Sequence, residues 1–327
     1  GAEVVLHYMG ALKGRAEARV RGALAAIPDG EYAAEEHLDD GSALRVRVGI
    51  AGDAARVDFA GSAGVHPGNL NATPAIVRSV VLYVLRLLVA EPLPLNEGLL
   101  RAVEVHIPPG LLNPDFPGDP ALAPAVVGGN TEVSQRLVDT LLKALRLAAC
   151  SQGTMNNLLW GSWRFGYYET VCGGTGAGPG WDGTSAVHSH MTNTRITDPE
   201  TVEHRYPVRV ERFAVRRGSG GEGRWRGGDG AVRELVFLEP MSLSVLTQHR
   251  AEGPYGMEGG EAGAPGRQQV VRASGETVEL GPVDGCEVGP GDRLVLETPG
   301  GGGWGKAVQA GDAELPVQDS TRKPGDP

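Results

Sequence analysis

The sequence predicts an α+β (mixed α/β) chain: helices and sheet in the N-terminal and central part, then a β-rich part resembling a sandwich or barrel. Three observations predict it. Helix-forming runs and short polar/apolar alternations share the first two thirds of the chain. From Val208 to Gly305 short alternating segments recur at regular spacing between Gly-Gly turns. Fifty glycines and 23 prolines among 327 residues supply turns in excess. The expected organisation is residues 1–205 as the mixed part, 206–310 as the β-rich part, and a polar tail over 311–327 that frays.

Each element has a local reason. Glu3 to Ala26 is rich in Ala, Leu, Arg and Glu, lacks proline, and sets Val5, Met9, Leu12, Val20 and Leu24 roughly on one face, which predicts a helix ended by Pro28-Asp29-Gly30. Arg45–Val48 and Arg56–Phe59 alternate polar and apolar residues around Ala51-Gly52-Asp53, predicting a β-hairpin. Ala75 to Ala90 is an apolar helix stopped by Pro92 and Pro94, and Ala102 to Ile107 a short strand. The next helix buries Val133, Leu137, Leu141, Leu142 and Leu145; Asn130 or Thr131 is its expected N-cap, with Glu132 in the first turn where the dipole favours an acid.

Composition narrows the function. Apolar residues at 41% and charged residues at 21% describe a soluble globular chain. A net charge of −10 argues against a nucleic-acid partner. Acids and glycines interrupt the arginine runs at 205–217 and 224–233, which read as solvated strands. Ala75 to Ala90 is too short to span a bilayer and contains Arg78 and Arg86, so no membrane partner is expected. Cys150, Cys172 and Cys286 form no CxxC pair or disulfide framework, and no secretory signal is seen, which fits a reducing cytoplasm.

Chemistry concentrates between Val126 and His190, where glycines alternate with amides, hydroxyls and two histidines. His188 and His190, one residue apart, would face the same side of a strand and could reach one metal or substrate; a hydrogen-bonded pair stiffening a turn is the alternative. Gly173–Gly178 lacks a P-loop lysine and runs into Pro179-Gly180, so a phosphate loop is not expected, and Gly300–Gly305 reads as a terminal turn. Cys172 is a conceivable nucleophile, but no Gly-x-Ser-x-Gly elbow surrounds Ser151 or Ser185.

Several blocks together carry a resemblance: Val126 to Arg136, Ala149 to Asn157, Ser185 to Thr194, Gly227-Gly228-Asp229-Gly230, Leu294 to Gly305, and Ile27-Pro28-Asp29-Gly30. In this order they resemble the hydantoinase B/oxoprolinase family, across nearly the whole chain. The resemblance implies a B-type component of an ATP-dependent enzyme that opens cyclic amides, or that carboxylates ketones. An A-type subunit or domain would hold ATP-Mg and phosphorylate the substrate carbonyl oxygen, in a cytoplasmic hetero-oligomer. It also implies a divalent metal whose ligands lie in a preceding portion of about 200 residues, which this sequence does not contain. The chain is therefore expected to be a C-terminal fragment, a truncated product or one piece of a split subunit, inactive alone. The connection from Leu147 to Ser151 is also shorter than the family pattern. A non-catalytic assembly module is the reading from another class. No catalytic residue is assigned. Asn130, Thr131, Glu132 and Gln135 are expected near substrate, with Gln152, Asn156, His188, His190 and Asn193 as further contacts.

Overall fold

Two hairpin-forming segments start the first layer. In the computed structural model, which describes residues 1–307, strands β1 (Gly30–His37), β2 (Ala43–Ala51) and β3 (Ala54–Asp58) form an antiparallel meander. Strand β4 (Val103–His106) then adds parallel to β3. The alternation of β2 turns Leu44, Val46, Val48 and Ile50 inward, and the expected hairpin is present. Helices α1 (Ala2–Ala25), α2 (Pro74–Val89) and α3 (Ser134–Ala144) pack on one another and on this sheet around Val20, Leu24, Val80, Val84, Leu137 and Leu141. Along α1 only the second half of the expected stripe is covered: Val20 and Leu24 are buried together with Ala16, which the stripe did not include, whereas Val5, Met9 and Leu12 are about half exposed.

The second layer pair is a sandwich. A four-stranded sheet in the order β12-β9-β5-β6 uses Val283–Val288, Met241–Leu246, Asn157–Ser162 and Phe165–Thr170. A five-stranded sheet in the order β11-β10-β13-β8-β7 uses Thr277–Glu279, Arg267–Val271, Arg293–Glu297, Gly230–Phe237 and Val208–Arg216. Both are antiparallel and open, so the architecture is α+β with a sandwich and no closed barrel. Leu158, Trp160, Leu235, Phe237, Leu243 and Leu294 fill the space between them. Strands β5 and β6 precede residue 206 yet share this sandwich with strands that follow it. A short helix, α4 (Pro199–Arg205), capped by Asp198, leads into β7. Arg233, expected in a solvated run, is instead fully buried, donating from Nε and Nη2 to Glu169 at 3.1 and 3.2 Å across the two sheets. Burial raises the Glu169 carboxyl, and Arg233 pulls it back.

A third structural unit is made almost wholly of backbone. Gly300–Gly303 is not a terminal turn but an extended segment surrounded by chain from 149–150, 173–177, 219–228 and 255–263. Gly301 N donates to Gly228 O, Gly302 N to Cys150 O and Gly303 N to Glu261 O, each at 2.8 Å. Gly174 N donates to Pro299 O at 3.0 Å. A Cβ on Gly301 would lie 1.9 Å from Thr175 O, and one on Gly174 1.9 Å from Gly228 O. Only glycine permits backbones to approach so closely. The glycine run at 173–178 is thus a packing element, in keeping with the absence of phosphate-loop features. The tail expected at 311–327 lies outside the described residues. Among the described residues no helix is long and apolar enough to cross a membrane.

This packing gives a test. Gly301→Ala places a methyl against backbone that cannot yield and should lower unfolding free energy by about 3 kcal/mol or more. Gly10→Ala, on an exposed helix position with open space, should be neutral or gain up to about 1 kcal/mol. Urea unfolding of both variants checks the contrast.

Candidate functional site

Helix α3 organises the polar interior. Its lead-in, Gly129–Val133, is a π-helical turn begun at Gly128 with no side-chain cap, which corrects the expectation for Asn130 and Thr131. The cause is close packing: a Cβ on Gly129 would lie 2.3 Å from Asn71 O, so the chain is pressed onto 69–72 and makes a wide turn. Asn130 is exposed, and its carbonyl accepts the Ser134 hydroxyl. Thr131 donates to Val127 O at 3.4 Å. Glu132 is not an exposed first-turn charge; it is fully buried. Its Oε1 accepts from Met155 N at 3.1 Å and from Asn157 Nδ2 at 2.6 Å. Its Oε2 lacks a well-formed hydrogen bond, although the Thr154 hydroxyl lies near it. Burial raises the carboxyl from 4.5 to about 8 against the pull of Thr154, Met155, Asn157 and Arg250.

Gln135 and Asp139, four residues apart, face the loop that carries the histidines. Gln135 Nε2 donates to Ser189 O at 3.0 Å and Thr192 Oγ1 at 2.8 Å, and its Oε1 accepts from Met191 N at 2.9 Å. Asp139 Oδ1 accepts from Ser151 N at 3.1 Å and lies 3.0 Å from His190 Nε2. A carboxylate can only accept, so Nε2 is assigned the proton. His190 Nδ1 then keeps its lone pair, with the Tyr83 hydroxyl 3.4 Å away. His188 and His190 lie in irregular chain, not on a strand, and His190 takes a left-handed φ of 51°. Both nevertheless border one cavity of about 590 Å³. Leu87, Leu142, Leu147 and Trp181 supply its apolar wall, and Tyr83, Ser151, Thr175 and Ser189 add hydroxyls beside the histidines. Burial lowers the His188 imidazole below its ordinary value, and its Nδ1 has no partner among the described residues.

The remaining polar residues tie the first layer to the sandwich. Asn156, at φ 46°, donates to Gln152 Oε1 at 2.8 Å and accepts from Arg250 Nη2 at 3.0 Å. Arg250, lowered to about 10 by burial, also donates from Nε to Gln268 Oε1 at 2.7 Å and from its backbone N–H to Asp39 Oδ2 at 2.7 Å. His249 gives Nδ1–H to Glu252 O at 2.8 Å and accepts from Arg136 at Nε2, while burial and Arg136 keep it well below its ordinary value. Cys172 is buried and its thiol raised, so nothing activates it as a nucleophile. Among the described residues no three His, Cys, Asp or Glu side chains gather to hold a metal ion. The described side chains therefore do not fit, by themselves, the divalent metal that the resemblance implies.

Comparison with known proteins places this architecture. The profile of the hydantoinase B/oxoprolinase family matches residues 1–307. The chain belongs to this family. It is 45% identical over 276 residues to 5-oxoprolinase 1 of Arabidopsis thaliana, covering 84% of this chain and 21% of that protein. An ATP-dependent caprolactamase from Pseudomonas jessenii is 26% identical with a TM-score of 0.79, over 94% of this chain and 57% of that one. A nucleotide-free acetone carboxylase shares the fold at 18% identity and a TM-score of 0.73, over 88% of this chain and 46% of that one. The chain spans about a quarter of the length of the first curated relatives it matches.

Within the hydantoinase B/oxoprolinase chain, the expected site residues divide into groups. Gln135, His188 and His190 meet at the histidine cavity, with Gln135 serving the loop and not the cavity itself. Gln152 and Asn156 sit in the Arg250 knot, Glu132 sits behind Asn157, and Asn130 and Asn193 are exposed. Sequence reasoning passed over Asp139, Tyr83, Asn157, Tyr168 and Arg250. Asp139 carried a usable signal, an acid one turn after Gln135 on a predicted helix. The raised Glu132 carboxyl gives a test. A group raised on folding contributes stability below its unfolded value that is lost as pH rises through its folded value. Glu132→Gln should therefore flatten the fall in stability between pH 4.5 and about 8, read from urea midpoints.

Proposed function

We propose that this chain supplies the B-type part of an ATP-dependent cyclic-amide hydrolase that works with an ATP-binding A-type subunit or domain in a cytoplasmic hetero-oligomer. The reading is carried by one observation: a member of a family shared with 5-oxoprolinases holds a paired histidine, His190, at an apolar-walled cavity of substrate size. The likeness to the caprolactamase supports it. Three free cysteines agree with a reducing compartment.

The chemistry follows from the amide. Resonance makes its carbon a poor electrophile, and phosphorylation of the carbonyl oxygen by the ATP-binding partner converts that oxygen into a leaving group. Water loses a proton as it adds to this carbon, the ring C–N bond of the adduct then breaks as the nitrogen takes up a proton, and a second water displaces phosphate from the acyl phosphate left behind. His190, with Nε2–H held by Asp139, offers Nδ1 as the acceptor, and the buried carboxylate stabilises the imidazolium that forms. Asp139 also takes Ser151 N–H, which fixes the cavity wall at the same point. The leucines and Trp181 give the ring an apolar wall to lie against. A divalent metal is proposed for the complete enzyme.

The test is ATP-coupled ring opening by the full-length protein with its partner, with 5-oxoproline, hydantoin and caprolactam as substrates. ADP release matched to ring-opened product supports the reading. Bicarbonate-dependent ATP consumption with acetone would replace it with ketone carboxylation, and an ATPase indifferent to every ring and ketone would leave an assembly role. In the active complex, His190→Ala should lower kcat by about 10²-fold or more, read at a temperature where the variant is still folded. Unchanged turnover would remove His190 from the mechanism.

A further inference from the structure

A second cavity, of about 530 Å³, lies where three sequence blocks converge: Val127 and Thr131 before α3, Asn157 at the start of β5, and Tyr168 on β6. Strands β9 and β12 close it with Leu246 and Val283. We propose that this cavity binds the ring of an uncharged cyclic amide, with the Tyr168 phenolic oxygen accepting the ring N–H. The inference rests on the cyclic-amide reading above and adds a recognition site to it.

Hydrogen-bond direction carries the argument. Asn157 Nδ2 donates to Glu132 Oε1 and to Leu246 O, both at 2.6 Å. Two acceptors consume both amide hydrogens and fix which way the amide points. Asn157 Oδ1 must therefore face Tyr168, whose hydroxyl donates to it at 2.6 Å. The phenol has one proton, and it is committed inward; what Tyr168 turns to the cavity is lone pairs. The chain that fixes this polarity is anchored in the interior, since Glu132 and Asn157 are buried while Tyr168 is half exposed and reachable.

The rest of the lining agrees. Thr131 has its proton on Val127 O, and the Asp284 carboxylate already accepts from Gly281 N and Gly285 N. The Asn69 amide and the Ser244 hydroxyl add donors that can serve the ring carbonyl, and among the described residues no Lys, Arg or His borders the cavity. A carboxylate or phosphate would therefore meet the Asp284 carboxylate and no countercharge. A neutral N–H donor with an apolar ring satisfies both the acceptor and the Val127, Leu159, Leu246 and Val283 surfaces.

The discriminating probes are 2-pyrrolidinone and N-methyl-2-pyrrolidinone, which share ring and carbonyl and differ in the N–H. Ligand-observed NMR titrations on the full chain should show saturable binding of 2-pyrrolidinone and affinity weaker by about fivefold or more for the N-methyl analogue. Tyr168→Phe should erase that difference. Val283→Trp, at an exposed strand position on the rim, should block both ligands while leaving the fold intact. The site is overturned if 2-pyrrolidinone does not bind saturably, if both ligands bind wild type equally, if Tyr168→Phe keeps the discrimination, or if Val283→Trp still binds. Failure of the two readings is separable. N–H discrimination without ATP-coupled ring opening removes only the hydrolase reading, and ring opening without discrimination removes only this site.

Discussion

The structure depends on backbone meeting backbone without side chains between. Gly300–Gly303 runs through the point where the loops at 149–150, 173–177, 219–228 and 255–263 meet, and it hydrogen-bonds to several of them. With carbonyl oxygens about 2 Å from where Cβ atoms would stand, the unit is held by peptide groups that satisfy one another. That arrangement positions both polar regions. Gly176 N reaches the Ser151 hydroxyl at 3.1 Å, and Gln152 N takes Gly174 O at 2.8 Å. The walls of the histidine cavity are therefore set by glycine packing as much as by the helices.

Around this unit the buried polar groups divide the work of joining the layers. Asp139 links α3 to the histidine loop and to the Ser151 segment, while Tyr255 donates to its carbonyl at 2.6 Å. Arg250 links Asp39 of the first layer to Asn156 and Gln268. Arg233 and Glu169 pin the two sheets of the sandwich. Such groups are expensive to bury alone and acceptable when each is paired. Single atoms stay without a partner among the described residues on Glu132, Arg136, Asp139, Trp160, His188, Ser189 and Arg233, and of these His188 and Ser189 border the histidine cavity.

What could be read from the sequence was whatever a side-chain period encodes. Helices α1, α2 and α3, the β2–β3 hairpin and the strand series after Val208 announced themselves through apolar spacing, and the short α4 did not. Strand β1 was missed because it is an edge strand with no fully buried residue, so Gly30–His37 carries no apolar alternation. The glycine unit was invisible for the opposite reason: a residue without a side chain has no period, and loops and close-packed strands look alike. Glu132 was misplaced because a cap-like sequence, Asn130-Thr131-Glu132, became a π turn under pressure from the chain at 69–72. The family blocks pointed to the right regions. Which of their residues meet depended on contacts more than fifty positions apart, such as Asp139 with His190.

The glycine unit also fixes when the molecule can finish folding. Its central segment is separated from Cys150 by about half the chain, and each hydrogen bond between them closes a long loop before anything is gained. Cys150 O, Gly174 N and Ala177 N cannot find their partners until residues 299–302 have left the ribosome, since Gly302 N, Pro299 O and Gly302 O are those partners. The helical first layer can assemble early from local contacts. The cavity framed by Ser151, Gly176 and His190 takes shape only when nearly all of the described chain has been synthesised.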